Sequence, residues 1–171
     1  PKAYALLNAG FLTGIFQFET SGAPLRLIEA TQPKDINALS DITALVRPGP
    51  AQAGLVEQYI ENKNNGYAPD GMPEAVTKEL ESSNFVLVYQ EQLMSLCGII
   101  GGFNEDDQDQ IRRSLGKKHK EIIEAYKERF INGGLERNYD KTYLENLWAD
   151  IVGYADYCLS GKVKILTKEY G

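Results

Sequence analysis

The sequence has 171 residues, 43% of them hydrophobic and 25% charged, which suits one soluble globular domain with a core of ordinary size. Its formal net charge of -6 argues against a general nucleic-acid binder with a basic face. No apolar run approaches the roughly 18 residues that would span a bilayer, and the start, PKAYALLNAG, lacks the basic-then-apolar pattern of a signal peptide. Cys97 and Cys158 stand too far apart to give a disulfide framework or zinc-ligand spacing. A reducing cytoplasm is the expected setting, with no membrane partner, and the abrupt beginning and end read as those of a piece cut from something longer.

In chain order, KAYALLNAG predicts a short helix stopped by Gly10, GIFQFETSG an extended segment and turn, and Pro24 opens a helix over PLRLIEA. In DINALSDITALV, Asp35 caps a helix with Ile36, Leu39, Ile42 and Leu45 at apolar positions, and RPGP (47–50) ends it. LVEQYIENK restarts the helical period with Leu55, Val56, Tyr59 and Ile60, and NNG closes it. NGYAPDGMP is loop by composition. FVLVY (85–89) reads as a short buried strand, with the start of a helix as the alternative.

QEQLMSLCGII predicts a helix ending at Gly101-Gly102. Asn104 caps the next one, with Glu105, Asp106 and Asp107 in a first turn whose dipole favours acids, and Gly116 is expected to stop it after Leu115. HKEIIEAYKERFINGG places Ile122, Ile123, Tyr126 and Phe130 on one face. TYLENLWADIV does the same with Tyr143, Leu144, Leu147, Trp148 and Ile151. After Tyr157 the pattern changes, and KVKILTKEY alternates in the β sense.

Positive charge concentrates in QIRRSLGKKHK (110–120), where Arg112, Arg113, Lys117, Lys118 and Lys120 accompany the chain's only histidine, His119. One reading is helix electrostatics alone, acids at the start and bases at the end, each worth about 0.3–1 kcal/mol. The other is an anion site: arginine offers a planar fork to phosphate, lysine a point charge, and Gly116 lets backbone come close. No GxxxxGK[ST] phosphate loop exists. Glu105, Asp106, Asp107 and Asp109 invite a two-metal reading, but successive carboxylates on a helix diverge, and capping explains them more simply. No metal site is expected.

GIFQFETSG, ALVRPGP, VLVYQEQLM and IRRSLGKK, in that order and spacing, resemble the fingers region of the bacterial replicative DNA polymerase III alpha subunit over residues 1–157. The resemblance implies a DNA-directed DNA polymerase, a nucleotidyltransferase of DNA replication, with this segment contacting the incoming dNTP and the DNA primer–template. It assigns triphosphate contact to Arg112 and Arg113 and supporting phosphate or backbone roles to Lys117 and Lys118. Arg47 is placed in the same nucleotide-binding group, as a ligand or as a bracing salt bridge, and Tyr89, Gln90, Glu91 and Gln92 give structural support. It implies Mg2+ for the complete polymerase, held by palm aspartates upstream of Pro1, so the fragment alone is expected to be inactive. The implied partners are the rest of the alpha subunit and, through other regions, replisome components such as the sliding clamp. Thr20 and Gly22-Ala23-Pro24 depart from the serine and bulkier residues of similar proteins.

Where the family would continue after GYADY, the sequence reads CLSGKVKILTKEYG (158–171), which resembles the first block of an intein. That resemblance makes Cys158 a splicing nucleophile able to attack the Tyr157 carbonyl, and a complementary intein fragment a partner. His119 has no part in it. The expected architecture is mainly α, a helical fingers domain (1–157) with a short β segment or hairpin at the C-terminal end (158–171). Two rivals remain open: a protein-splicing precursor with the fingers only as its N-extein, and a non-enzymatic helical interaction domain whose charge run is merely solvated.

Overall fold

The computed structural model describes residues 2–19, 22–47, 54–117 and 119–158. These form nine α-helices and one 3-10 turn, and no strand occurs among the described residues. The fold is mainly helical. The β segment expected within 158–171 lies outside the described residues beyond Cys158. The chain divides into two compact units, Pro1–Gln92 and Leu93–Gly171.

In the first unit, α1 (Lys2–Asn8) stops at Gly10, whose φ of 85° places it in the left-handed region. Helix α2 (Gly22–Thr31) starts two residues before Pro24, which therefore sits within the first turn, where its missing N–H costs no helical bond. Helix α3 (Ile36–Leu45) has the expected cap: the Ala38 amide donates to Asp35 Oδ1 at 2.9 Å. Helix α4 (Leu55–Asn65) closes on left-handed Gly66, whose amide donates to the Asn62 carbonyl. The core gathers Leu27, Ile28, Ile42, Leu45 and Tyr59, each at most 1% exposed.

Two features of this unit differ from the sequence expectation. Glu74–Leu80 forms a further helix, α5, followed by the 3-10 turn Glu81–Ser83. Its seven residues bury only Val76 and Leu80, too short a period to stand out from the loop before it. FVLVY is buried but is not a strand. Phe85 adopts a φ of 61° and its amide donates to the Leu80 carbonyl at 2.8 Å, which breaks the extended run. The amides of Val88 and Tyr89 then donate to Gln92 Oε1 rather than to a neighbouring strand. The segment is a buried lead-in to α6 (Gln90–Ile99), the alternative its short apolar run had left open.

The second unit holds most of α6 together with α7 (Glu105–Lys117), α8 (Lys120–Glu136) and α9 (Lys141–Cys158), the last three mutually packed. Tyr126, Phe103, Phe130 and Trp148, in that order, form a chain of ring contacts, with centroids 5.3, 6.3 and 5.2 Å apart along it. Helix α7 runs through Gly116 to Lys117 instead of stopping at the glycine, and the His119 amide closes its end on the Ser114 carbonyl at 3.1 Å. Helix α8 likewise continues past Gly133-Gly134. Those glycines serve close packing: a Cβ at 133 would strike the Gly101 carbonyl, and one at 134 the Leu144 side chain. No helix among the described residues is long and apolar enough to cross a membrane.

Candidate nucleotide-phosphate site

The rotation of α7, about 100° per residue, sorts its side chains into two faces. Ile111, Ser114 and Leu115 are buried, at the i, i+3, i+4 spacing of a core-facing stripe. Asp107 lies toward that side. Asp109, Arg112 and Arg113 fall on the opposite, solvent-facing side. The helix starts as expected, with the Asp107 amide donating to the capping Asn104 Oδ1 at 2.9 Å.

Asp109 pairs with both arginines. Arg112 donates from Nε and Nη2 to Oδ1 at 3.1 and 2.8 Å, and Arg113 Nη2 lies 2.7 Å from Oδ2. One carboxylate thus answers two guanidiniums. The Arg112 side chain is 35% exposed and that of Arg113 67%. The hydrogen bond from Arg112, together with both guanidinium charges, holds the Asp109 carboxyl below its usual 3.8. One acid for two bases, with Lys117 exposed at the helix end, leaves the C-terminal half of α7 positive in an acidic chain.

Asp107 has a different partner. Arg129 of α8 grips it with two parallel bonds, Nη1 to Oδ1 at 2.9 Å and Nη2 to Oδ2 at 2.6 Å. The same guanidinium lies 5.1 Å from the ring centres of both Phe103 and Tyr126. Tyr126 donates its hydroxyl to Gln110 Oε1 at 2.8 Å. Of the acid run of α7, Asp107 serves an inter-helix clamp and Asp109 the arginine pair, while Glu105 and Asp106 stand exposed in the first turn. Among the described residues no three His, Cys, Asp or Glu side chains come together as a group that could hold a metal ion.

The other singled-out residues belong to the first unit. Arg47 is exposed just beyond α3. Tyr89 donates its hydroxyl to Asp41 Oδ1 at 2.6 Å, and Tyr59 donates to Oδ2 of the same carboxylate at 2.9 Å. Burial pushes the Asp41 carboxyl up, against the pull of the two phenols, and burial together with that carboxylate pushes both phenols up. Gln92 is the third residue of α6 and reaches back to the amides of Val88 and Tyr89 at 3.0 and 2.9 Å, one half of a capping box. Its Nε2 donates to Ser83 Oγ at 2.7 Å, whose hydroxyl lies 2.7 Å from the Val86 carbonyl. Gln90 is half-buried and Glu91 exposed. Lys118 lies outside the described residues. The backbone of Cys158 ends α9, and its side chain lies outside the described set.

Sequence reading missed the partners of two acids. Asp109 precedes Arg112 and Arg113 by three and four positions, the spacing at which helical side chains meet, so its pairing was written in the chain. Asp41 shares the core face of α3 with Leu45 four positions on. A carboxylate there requires donors.

The family described as bacterial DNA polymerase III alpha subunit finger domain matches residues 1–138. DNA polymerase III subunit alpha of Aquifex aeolicus is 38% identical over 161 residues, covering 92% of this chain and 13% of the relative. The subunit of the same name from Bacillus subtilis is 33% identical over 157 residues, 91% of this chain and 14% of the relative. The error-prone DNA polymerase of Vibrio parahaemolyticus is 32% identical over 160 residues, 92% of this chain and 15% of the relative. The chain thus spans between about an eighth and a seventh of the length of the curated relatives it matches. The chain belongs to the bacterial DNA polymerase III alpha subunit finger domain family.

Proposed function

We propose that the chain acts as the fingers part of a replicative DNA-directed DNA polymerase, meeting the triphosphate of the incoming dNTP with the end of α7. The observation that carries this reading is the pair of adjacent guanidiniums, Arg112 and Arg113, gathered on the solvent-facing side of one helix by a single acid. Phosphoryl transfer builds negative charge on the departing pyrophosphate. Fixed cations stabilise that charge without reorganising during the reaction. Arg112 and Arg113 contact phosphate oxygens and Lys117 adds point charge on the same helix, while Lys118 and Arg47 keep only the supporting cationic roles that the family resemblance implies. Tyr89 and Gln92 anchor the start of α6 through Asp41 and Ser83, a supporting role.

The chemistry of bond exchange belongs elsewhere. Mg2+ is assigned, as the family resemblance implies, to palm carboxylates in other parts of the complete polymerase, and no step here runs through it. The DNA primer–template, the rest of the alpha subunit and the sliding clamp are partners at the level of that complete protein. The test is steady-state incorporation by the complete polymerase. Arg112→Ala and Arg113→Ala are each expected to raise KM for dNTP about tenfold or more, the scale of one charge-assisted phosphate contact. Unchanged constants in both variants would contradict the reading.

The sequence CLSGKVKILTKEYG (158–171) favours a second role, as the start of an intein with residues 1–157 as its N-extein. The Cys158 thiolate attacks the Tyr157 carbonyl carbon, the Tyr157–Cys158 amide bond breaks, and the thiol's proton ends on the freed amine, leaving a thioester. Mixing the chain with a complementary intein fragment and hydroxylamine should cleave it after Tyr157. No cleavage, or equal cleavage of Cys158→Ala, would remove this role.

A further inference from the structure

We infer that Asp109 is a positioning residue of the nucleotide site, the internal counter-anion that makes Arg112 and Arg113 converge. The inference rests on the reading of those arginines as triphosphate contacts. Adjacent residues on a helix leave its axis about 100° apart. Two neighbouring guanidiniums also repel each other, so α7 by itself would splay the pair. Asp109 sits one turn earlier, between them in azimuth: about 60° from Arg112 on one side and about 40° from Arg113 on the other.

The carboxylate uses that position in full. Oδ1 accepts from Nε and Nη2 of Arg112, and Oδ2 lies against Nη2 of Arg113, so each oxygen holds a different arginine. The hydrogen bonds to Asp109 leave Nη1 of Arg112 outside the pairing, and Arg113 is the more exposed of the two. The two guanidiniums are thereby drawn over the same stretch of helix with donors to spare, and their summed charge exceeds that of the acid by one. A ligand with two or more phosphate oxygens can then meet both arginines without first bringing two like charges together. The i,i+3 and i,i+4 geometry also restricts the anchor. Asparagine keeps the shape but not the charge, whereas glutamate keeps the charge on a longer arm that still reaches both.

The experiment measures single-nucleotide incorporation by the complete polymerase at saturating primer–template, with Asp109→Asn, Asp109→Glu, Arg112→Ala and Arg113→Ala side by side. Asp109→Asn is expected to raise KM for dNTP about fivefold with kcat changed less than twofold, the size of a lost charge-assisted contact. Asp109→Glu is expected to recover most of that loss. A KM for Asp109→Asn at or below the parent value, while the arginine variants raise it, overturns this inference alone. Equal losses in kcat and KM, or no recovery by glutamate, overturn it as well and mark Asp109 as a stabilising residue only. Arginine variants with unchanged KM overturn the reading beneath it.

Discussion

The Tyr89 hydroxyl donates to Asp41 at 2.6 Å, joining the start of α6 to α3 across 48 positions of sequence. Tyr59 completes the arrangement from α4, so one buried carboxylate, 2% exposed, ties α3 to α4 and to the residue that leads into α6. Hydrogen bonds to a charged acceptor are worth about 1.5–3 kcal/mol, and losing one leaves part of a buried carboxylate unsatisfied. Tyr89→Phe is therefore expected to lower the unfolding free energy of the chain by about 2 kcal/mol. A denaturant titration by circular dichroism checks this, and a change below about 0.5 kcal/mol would show that the contact contributes little.

The acids of the two units push pH dependence in opposite directions. Hydrogen bonds from Arg129 hold the Asp107 carboxyl below its usual 3.8. Its contribution to stability is present above that value and is lost as pH falls through the lower, folded one. Desolvation holds Asp41 above 3.8. Stability tied to its protonated form is present below that value and declines as pH rises through the folded one. Asp107→Asn should accordingly flatten the loss of stability on acidification below about pH 4, measured by thermal unfolding from pH 3 to 7. A slope identical to that of the parent chain would count against the Arg129 clamp.

Gly133 and Gly134 make a paired comparison. Alanine normally favours a helix over glycine by about 1 kcal/mol. At 133 the added methyl meets the Gly101 carbonyl, which is backbone and cannot swing aside. At 134 it meets Leu144, whose side chain has other rotamers. Gly133→Ala is expected to destabilise by about 2–3 kcal/mol and Gly134→Ala by less. The reverse order in a thermal-shift measurement would contradict the packing of α8 described above.

Local signals reached the sequence reader and long-range ones did not. The caps Asp35 and Asn104 and the closure at Gly66 act within a turn of their own helices, and each appears where the residue types place it. FVLVY misleads because burial and β-branched residues are common to strands and to buried lead-ins. What decides is Gln92, which takes the two amides a strand would have offered to a neighbour. The Gly133-Gly134 pair looks like a stop until Gly101 and Leu144 are known to lie against it. The arginine cluster was visible as charge, yet its geometry depended on Asp109, which had been counted among acids that favour the helix start.

The most direct measurement of the central claim is the equilibrium binding of a correct dNTP to the complete polymerase on a chain-terminated primer–template. The double variant Arg112→Ala, Arg113→Ala is expected to weaken Kd for dNTP by about tenfold or more, at least the scale of one phosphate contact and not a simple product of two because the arginines share Asp109, with primer–template affinity in the absence of nucleotide unchanged. A dNTP Kd equal to that of the parent enzyme would contradict the account.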